Sequence, residues 1–474
     1  MRYLYAIILI FFFLTNSYAQ EENLHGEKFE FETSNEKDPS FVLLDNYNHY
    51  LLTNINVDGV MAGHQIIIRK FDQKNNLVGN FKADFPTMDA NSLYEYLGFA
   101  ESQNGKLATF VEVHSGRANK SEIYKIEFDK VTSKFTTILL ATNPIISLMK
   151  SGSISLEKSE NGRFIAINFQ KYRNKGLAEK NQIIVINSST LEVVWQKELS
   201  FEDEYTSQNF TVTNSGKVIL VRDMKGSKKG ITYLVSISDS SQENKTFESP
   251  VFLNEMKSIS IGPEEYLVAF NSASKNFIED FYNSLMLYDL KSGKILNNTK
   301  ITSFASVKGL RKVTIRNVVL QNNEINILAE AKANVMMGST TGYGAAPIST
   351  SLDKMIVGPS FMFKINFEGE LKEARDLRVN SIAETEIFPS FGFINAKGAY
   401  YIAKGKSGDI YSLNNLNEID KDIYKARTKG VDPYGNGSGK YLNQLITYFP
   451  DKNTILQGRI VNNNEMSLLS FKIK

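Results

Sequence analysis

Residues 151–201 read SGSISLEKSENGRFIAINFQKYRNKGLAEKNQIIVINSSTLEVVWQKELSF, and this stretch decides the fold. It predicts four short strands, the first around Leu156 and the others at Phe164–Phe169, Gln182–Ile186 and Leu191–Leu199. Asn161-Gly162 between the first two strands predicts a tight hairpin, because Asn and Gly tolerate positive φ. A four-stranded meander cannot bury both of its faces alone, so the rest of the chain must supply neighbours.

The hairpin between the first two strands recurs along the chain. The turns are Asn46-Tyr47-Asn48, Asn104-Gly105, Asn161-Gly162, Asn214-Ser215-Gly216, Gly262-Pro263-Glu264, Asn322-Asn323, Asn395-Ala396-Lys397-Gly398 and Asp451-Lys452-Asn453. Their mean spacing is about 58 residues, and an all-strand repeat of this order indicates a propeller or another β-array. The turns predict eight units, and the weak patterning of Gly408–Lys440 leaves seven as an alternative.

The third strand of each unit and its exit turn repeat as well. HQIIIRKFDQKNN from His64, SEIYKIEFDKVTS from Ser121 and SLMLYDLKSGK from Ser284 each run from an apolar strand into a polar turn. In this pattern the chain resembles the β-propeller superfamily in general, over nearly all of its length. It carries no Trp-Asp repeat, kelch glycine pair or sialidase Asp-box, so the resemblance implies a fold and no particular function.

We therefore expect an all-β chain that forms a β-propeller of eight four-stranded antiparallel blades. The last unit offers only three strands, at Gln444–Phe449, Thr454–Ile460 and Met466–Ile473. The N-terminal segment Phe29–Thr33 alternates like a lone strand, and we expect it to pair beside Met466–Ile473. That pairing would close the ring and leave no open sheet edge.

The N-terminus predicts export. Arg2 precedes an apolar run at Ala6–Leu14, and the small residues Ser17 and Ala19 predict cleavage that leaves Gln20 first. The run is much shorter than the ~20 residues that span a bilayer. We expect residues 1–19 to be a signal peptide and residues 20–474 to form one propeller domain. No membrane span would remain after signal removal, and the protein would be periplasmic or extracellular.

Composition narrows the classes of function. The net charge is only +2 with both signs interspersed, which argues against nucleic acid as a partner. The chain has no cysteine, so disulfides are excluded. No G-x-S-x-G, H-E-x-x-H or glycine-rich phosphate loop is present. We expect a monomer with no catalytic residue, no metal site and no cofactor.

The long interruptions fall mostly between the second and third strands of the units. They are Val113–Lys120, Lys171–Asn181, Arg222–Lys229, Ser272–Tyr282 and Ala333–Pro359. Connections of an up-and-down blade alternate between its two ends, so these loops should emerge together at one end, the loop-rich end. The opposite, plain end would carry the short hairpins. We treat residues 333–359 and 429–440 as loop insertions, and expect binding residues at the loop-rich end.

Cations and aromatics in three of these segments form the expected ligand-binding set. Its members are Lys171, Tyr172, Arg173, Phe277, Phe281, Tyr282 and Tyr343. Cations beside aromatic rings suit polar, ring-bearing or anionic ligands. The competing interpretation is that the aromatics only pack at blade edges. The serines of the first strands, Ser153, Ser155, Ser258 and Ser260, are interpreted as the small polar lining of a central channel.

Other polar residues carry weaker hypotheses. His64 and His114 would approach the loop-rich end in adjacent blades, but their spacing matches no known metal motif. Asp432 to Gly439 offers oxygen ligands, yet the spacing does not match an EF-hand, so we expect a turn. A glycosidase would need two carboxylates facing each other across a cleft. The loops supply acids for such a pair at Asp223, Glu279, Asp280 and Asp353.

The leading functional hypothesis is an exported propeller that binds a protein or glycan partner on its loop-rich face. One alternative is a carbohydrate-active or other hydrolase with its site at the channel mouth, recognisable by two or more carboxylates in perturbed surroundings. Another is a structural envelope protein, recognisable by an exposed apolar patch of several hundred Å².

Overall fold

The protein is an all-β propeller of eight four-stranded antiparallel blades, seen in a computed structural model. The eight-blade prediction is confirmed, and the seven-blade alternative is wrong. The structure describes residues 23–32, 35–55, 64–90, 92–147, 150–172, 177–202, 205–224, 232–247, 252–272, 284–301, 312–338, 351–377, 381–383, 391–404, 408–421, 440–462 and 464–472.

Two short strands precede the first full blade. They are β1 (Asn23–His25) and β2 (Phe29–Glu30). Blade 1 consists of β3 (Glu36–Val42), β4 (His49–Ile55), β5 (Gln65–Phe71) and β6 (Leu77–Asp84). Blade 2 consists of β7 (Leu93–Glu101), β8 (Lys106–Ser115), β9 (Lys120–Asp129) and β10 (Lys134–Pro144). Blade 3 consists of β11 (Ser153–Lys158), β12 (Phe164–Gln170), β13 (Glu179–Asn187) and β14 (Glu192–Phe201).

The next three blades follow the same order. Blade 4 consists of β15 (Tyr205–Val212), β16 (Val218–Met224), β17 (Thr232–Ile237) and β18 (Gln242–Thr246). Blade 5 consists of β19 (Phe252–Ile261), β20 (Glu264–Ser272), β21 (Ser284–Asp289) and β22 (Lys294–Lys300). Blade 6 consists of β23 (Lys312–Gln321), β24 (Glu324–Gly338), β25 (Ser351–Asn366) and β26 (Leu371–Asp376), and β27 (Ser381–Ala383) also pairs with β25.

The last two blades complete the chain. Blade 7 consists of β28 (Phe391–Ala396), β29 (Ala399–Lys404), β30 (Asp409–Ser412) and β31 (Asn415–Ile419). Blade 8 contains β32 (Lys440–Phe449), β33 (Thr454–Asn462) and β34 (Glu465–Lys472), with a 3₁₀ turn at Pro450–Lys452 between β32 and β33. Its fourth strand comes from the N-terminus, as described below.

By internal contacts the chain divides into two compact units. The first comprises Met1–Thr53, Ile68–Asn80 and Ile387–Lys474, and the second comprises Asn54–Ile67 and Phe81–Glu386. The second unit contains blades 2 to 6 and the candidate site. Within it, the first strands of neighbouring blades contact each other, β11 with β15, β15 with β19 and β19 with β23.

The closing strand lies where the sequence predicts it. Phe29 pairs with Met466 and Glu30 with Glu465, both in antiparallel register on β34. The pairing also begins earlier than expected, since β1 aligns Asn23 with Phe471. Every strand of blade 8 therefore has a partner, and the N-terminal segment supplies the fourth strand.

A buried ion pair joins β3 to β5 within blade 1, and its arginine contacts the N-terminal segment. Both guanidinium nitrogens Nη1 and Nη2 of Arg69 lie 2.6 Å from the carboxylate oxygens of Glu36. The Thr53 hydroxyl donates to the same carboxylate at 2.7 Å. The Arg69 guanidinium also lies over the rings of Phe29 and Phe31, at 5.7 and 5.8 Å from their centroids. A bidentate, fully buried pair of this kind fixes geometry as well as charge.

The predicted hairpin turns all connect first to second strands. Their left-handed positions include Gly105 (φ 72°), Gly162 (φ 69°), Gly216 (φ 81°) and Asn322 and Asn323 (φ 54° and 60°). Gly pays no steric penalty at such φ, and Asn pays less than most residues. The turn residues thus explain why the units begin where they do.

The core lies in layers between adjacent blades. Ile165 and Ile167 of β12 pack toward blade 2, whereas Ala166 between them packs toward blade 4. Such a strand is buried on both faces, which explains why Phe164–Phe169 is apolar at every position except Asn168. Trp195 on β14 adds a polar link between blades, because its indole Nε1 donates to the Gly216 carbonyl at 3.2 Å.

Candidate functional site

A polar pocket lies among the first strands of blades 3, 4 and 5. It has a volume of about 300 Å³. Its lining residues come from β11, β12, β15 and β19, and they are Ser153, Ile154, Ser155, Glu157, Asn168, Gln170, Asn209, Phe210, Glu255 and Met256. First strands of propeller blades surround the central channel, so the pocket occupies the inner side of these three blades.

The alternation of β11 explains the polar wall of the pocket. Ser153, Ser155 and Glu157 lie two positions apart, so their side chains point to one side of the strand. Leu156 points to the other side, where it packs with the apolar residues between blades 2 and 3. The strand thus presents two hydroxyls and a carboxylate to the pocket, which Ile154 also lines, and packs Leu156 toward blade 2.

Glu157 is held by a cation from blade 5. The Nζ of Lys257 lies 2.5 Å from Oε2 of Glu157, and the two side chains are 28% and 21% exposed. Burial raises the pKa of the Glu157 carboxyl above its ordinary value, and the charge of Lys257 opposes that rise. The pocket therefore contains a carboxylate that is partly desolvated and partly neutralised.

A chain of polar contacts fixes the orientation of Gln170. Its Nε2 donates to Oε1 of Glu179 at 2.8 Å, and the Ser153 hydroxyl donates to its Oε1 at 3.4 Å. Glu179 in turn pairs with Arg222 of blade 4, whose side chain is fully buried. The Arg222 guanidinium lies 3.7 Å from the centroid of the Phe201 ring. These contacts decide which atoms the Gln170 amide presents.

Two further amides are held in the same way. The Asn181 Nδ2 donates to Oδ1 of Asn168 at 2.9 Å, in the buried part of blade 3. The Asn209 Nδ2 donates to the Leu253 carbonyl at 3.1 Å, which connects β15 to β19. Amides in fixed orientations offer both donors and acceptors, so the pocket can match a ligand rich in hydroxyl groups.

Gly152 marks the edge of the pocket at the loop-rich end. Its φ is +104°, and a Cβ there would lie 2.3 Å from the Gln170 carbonyl oxygen and 3.1 Å from the Tyr172 backbone nitrogen. Only glycine allows the two backbone segments to approach this closely. The start of β11 is thereby placed against the end of β12, and Ser153 comes beside Gln170.

Only two residues of the expected ligand-binding set fall in the part of the chain that the structure describes. Lys171 forms an ion pair with Glu198, with Nζ 2.5 Å from Oε2. Tyr172 is 43% exposed, and the cation beside its ring is Lys150, with Nζ 5.7 Å from the centroid. The other members, Arg173, Phe277, Phe281, Tyr282 and Tyr343, lie outside the described residues.

Because Lys171 is already in an ion pair, its positive charge is less available to attract a ligand. Hydrogen bonds from Lys171 and from Lys180 lower the pKa of the Glu198 carboxyl, so this acid stays charged beside both lysines. A cation already paired in this way attracts an anionic ligand less than a free one would. The aromatic ring of Tyr172 remains available to contact a ligand.

The three segments expected to surround one mouth are described only in part. Residues 173–176, 273–283 and 339–350 lie outside the described residues. The described ends of the longest segment are strand rather than loop, because β24 and β25 stay paired up to Gly338 and Ser351. The insertion at residues 429–440 is described only at Lys440, which begins β32.

The histidines and acidic residues considered in the sequence analysis do not form a site among the described residues. His64 stacks on Tyr94 with ring centroids 4.2 Å apart, and His114 Nδ1 lies 3.9 Å from Oε2 of Glu112. Among the residues that the structure describes, no group of three or more His, Asp or Glu side chains could hold a metal. The turn at 432–439 and the side chains of Asp223, Glu279, Asp280 and Asp353 lie outside the description.

The four serines of the first strands divide into two groups. Ser153 and Ser155 line the pocket, whereas Ser258 and Ser260 contact blade 4 through Thr211 and Asn214. Sequence reasoning singled out the serines but missed Glu157, Gln170, Asn168, Asn209 and Glu255. Glu157 could have been predicted from the sequence, because it lies two positions after Ser155 and therefore on the same side of the strand.

Comparisons with known proteins assign the chain to no family. No protein-family model and no curated protein matches the chain. Among solved structures it is similar to the β-propeller domain of the trilobed protease from Pyrococcus furiosus, at 14% identity and a TM-score of 0.37, over 72% of this chain and 97% of that one.

Two other solved structures are similar at the same level. One is the acylaminoacyl peptidase of Pyrococcus horikoshii, at 14% identity and a TM-score of 0.36, over 91% of this chain but only 59% of that one. The other is the GH93 alpha-L-arabinofuranosidase of Fusarium graminearum in complex with arabinobiose, at 8% identity and a TM-score of 0.33, over 64% and 92% of the two chains.

Proposed function

We propose that this propeller binds a glycan in the pocket of blades 3 to 5. The observation that carries the proposal is the set of fixed polar groups there, above all the Gln170 amide held by Glu179 and Ser153. Sugar hydroxyls both donate and accept hydrogen bonds, and amides and carboxylates of fixed orientation match them. Fixing these groups before binding also reduces the entropy lost when the ligand binds.

The size of the pocket favours a glycan over a protein partner. A volume of about 300 Å³ is at the small end of the range for ligand pockets. A stable protein interface needs about 800 Å² from each partner, which a pocket of this size does not provide. Docking of a protein partner on the loop-rich face is therefore one of the outcomes that the binding experiment distinguishes.

Hydrolysis is the second candidate, because Glu157 and Glu255 both line the pocket. Burial raises the pKa of Glu157, which is a property of general acids. The contact with Lys257 at 2.5 Å opposes it, since a cation stabilises the ionised carboxylate. We therefore favour binding without turnover and include turnover in the measurements.

The proposal is tested by filling the pocket. Ser155 is exposed on β11, so Ser155→Trp should occupy the cavity at little cost in stability. Ser200→Trp, at an exposed serine of the outer strand β14, is the matched control. Calorimetric titration would use cello-, xylo-, manno-, malto-, laminari- and chitohexaose as probes, with release of reducing ends measured in parallel.

We expect the protein and its Ser200→Trp control to bind at least one probe without releasing reducing ends. Ser155→Trp should weaken that binding by about tenfold or more. The absence of binding to every probe, or equal binding by Ser155→Trp, would overturn the proposal. Release of reducing ends that Glu157→Gln abolishes would establish the hydrolase instead. Capture of a protein partner unaffected by Ser155→Trp would favour docking on the loop-rich face.

Export accompanies the proposed function, because a glycan-binding protein of this kind would meet its ligand outside the cytoplasm. We propose cleavage after Ala19, and N-terminal sequencing of the exported protein should begin at Gln20. Retention of Met1 on that protein would contradict export by a cleaved signal. Within the described part of the chain, no helix has the length and apolar character to cross a membrane. The alternative of a structural envelope protein stays a prediction.

A further inference from the structure

The pocket ends at the same level on all three first strands. Its last lining residues toward the plain end are Glu157 on β11, Phe210 on β15 and Met256 on β19. The next residue of β19 is Lys257, which reaches past β15 to pair with Glu157. This ion pair therefore lies at the plain-end limit of the cavity.

Further polar contacts close the space behind the ion pair. The Ser258 backbone nitrogen donates to Oγ1 of Thr211 at 3.4 Å, which joins β19 to β15. Closer to the plain end, the Asn214 Nδ2 donates to Glu160 at 3.0 Å and to Ser260 at 2.7 Å. The Ser260 backbone nitrogen also donates to Glu160, at 2.9 Å. Hydrogen bonds thus connect blades 3, 4 and 5 on the plain-end side of the pocket.

The opposite side of the pocket is formed by strand ends. β11 begins at Ser153, and β12 ends at Gln170, directly opposite Ser153 in the antiparallel register. These two residues belong to the pocket lining, so its wall ends where the strands end, at the loop-rich end. The described strands end on this side, whereas the ion pair occupies the other side.

We propose that the pocket binds the terminal residue of a glycan chain end-on, with the rest of the chain leaving through the loop-rich end. This inference rests on the proposed function and specifies its ligand. An internal segment of a chain needs two exits, one for each direction of the polymer. The Glu157–Lys257 pair and the contacts of Asn214 lie on the plain-end side of the pocket, where the second exit along these strands would be needed.

Chain length distinguishes end-on from internal binding. A hexasaccharide and a chain of about twenty residues of the same linkage each have one terminus of each kind. An end-on site should bind both with Kd values, per mole of chains, that agree within about twofold. An internal site should bind the longer chain about threefold or more tightly, because that chain offers several times as many binding registers.

Modification of the ends gives the second measurement. The hexasaccharide bound in the pocket test would be compared with its form reduced at the reducing end and its form methylated at the other end. We expect one of the two modifications to weaken binding by about tenfold or more and the other to have little effect. If neither modification weakens binding, or if affinity rises with chain length, end-on binding is overturned while glycan binding stands. If no probe binds to the unmodified protein, the proposed function itself fails, and the end-on inference fails with it.

Discussion

Glu157 and Lys257 belong to blades 3 and 5, yet their side chains form an ion pair with Nζ 2.5 Å from Oε2. The strand between them, β15, contacts both β11 and β19. The pair therefore connects blades that are not sequential neighbours. The pair lies at the plain-end limit of the candidate pocket. Next to it, toward the plain end, Thr211 and Asn214 form the hydrogen bonds that connect blades 3, 4 and 5.

Lys257→Ala should raise the pKa of Glu157 further. Burial already raises it, and the charge of Lys257 is the influence that opposes the rise. A carboxyl with a raised folded pKa contributes stability below its unfolded pKa, and this contribution is lost as pH rises through the folded pKa. We expect the variant to lose about 1 kcal/mol at neutral pH, as for a partly exposed pair.

The measurement is an NMR titration of labelled glutamate carboxyls, with thermal unfolding in parallel. Lys291→Ala is the matched control, since Lys291 pairs with Glu264 at 2.7 Å on an exposed surface. The control should leave the titration of Glu157 unchanged. An unchanged or lower pKa of Glu157 in Lys257→Ala would show that the ion pair does not form in solution.

Arg222→Met should destabilise the protein by about 3–5 kcal/mol, because it leaves the buried Glu179 carboxylate without its cation. Adding Glu179→Gln removes that charge and should recover a large part of the loss. Unfolding in urea compares the two variants. A double variant no more stable than Arg222→Met would mean that the arginine acts mainly through its contact with the Phe201 ring.

Asn214→Ala should cost about 1–2 kcal/mol, because its side chain bonds to the turn of blade 3 and to Ser260 of blade 5. Ser260→Ala removes one of the same bonds. The double variant should therefore lose less stability than the two single losses added together. Strict additivity, measured from unfolding midpoints, would contradict a shared network at the plain end.

His49 should make the protein sensitive to acid. Burial lowers its pKa to about 3, far below the ordinary 6.5, and its ring stacks on Phe71 at 5.5 Å. Below pH 6.5 the unfolded chain binds a proton that the folded chain does not, so stability falls as pH falls toward the folded pKa. From pH 6.5 to 4.5 this residue alone should account for a loss of about 2–3 kcal/mol.

His49→Phe keeps a buried ring and removes the titration. Its unfolding free energy should therefore decrease less between pH 6.5 and 4.5 than that of the unchanged protein. Denaturant unfolding at the two pH values provides the comparison. Equal losses for both proteins would mean that His49 titrates normally in the folded state.

Tyr172→Ala should lower the affinity for a bound hexasaccharide by about 1–2 kcal/mol with little change in stability, because this ring is 43% exposed. Phe169→Ala, at a fully buried ring three residues earlier, should instead lose about 3–5 kcal/mol of stability. Calorimetric titration and thermal unfolding of both variants separate the two effects. Reduced stability of Tyr172→Ala with unchanged affinity would make Tyr172 a packing residue.

Local sequence signals determined the blades. Asn161-Gly162 and its counterparts specify hairpins through the backbone conformations that they tolerate, and this choice needs no distant residue. Phe29 was correctly expected beside Met466, because a three-stranded last blade leaves an edge that only a spare strand can cover.

The tertiary structure decided the site. Alternation along β11 places Ser155 and Glu157 on one side of the strand, but it does not say which blade faces that side. The pairings of Glu157 with Lys257 and of Glu179 with Arg222 depend on how separate blades pack. Lys171, just after β12, likewise pairs with Glu198 on β14, across β13, although the sequence placed it beside a ligand. Side-chain contacts between distant positions depend on blade packing and strand register, and neither is specified by the local pattern of residues.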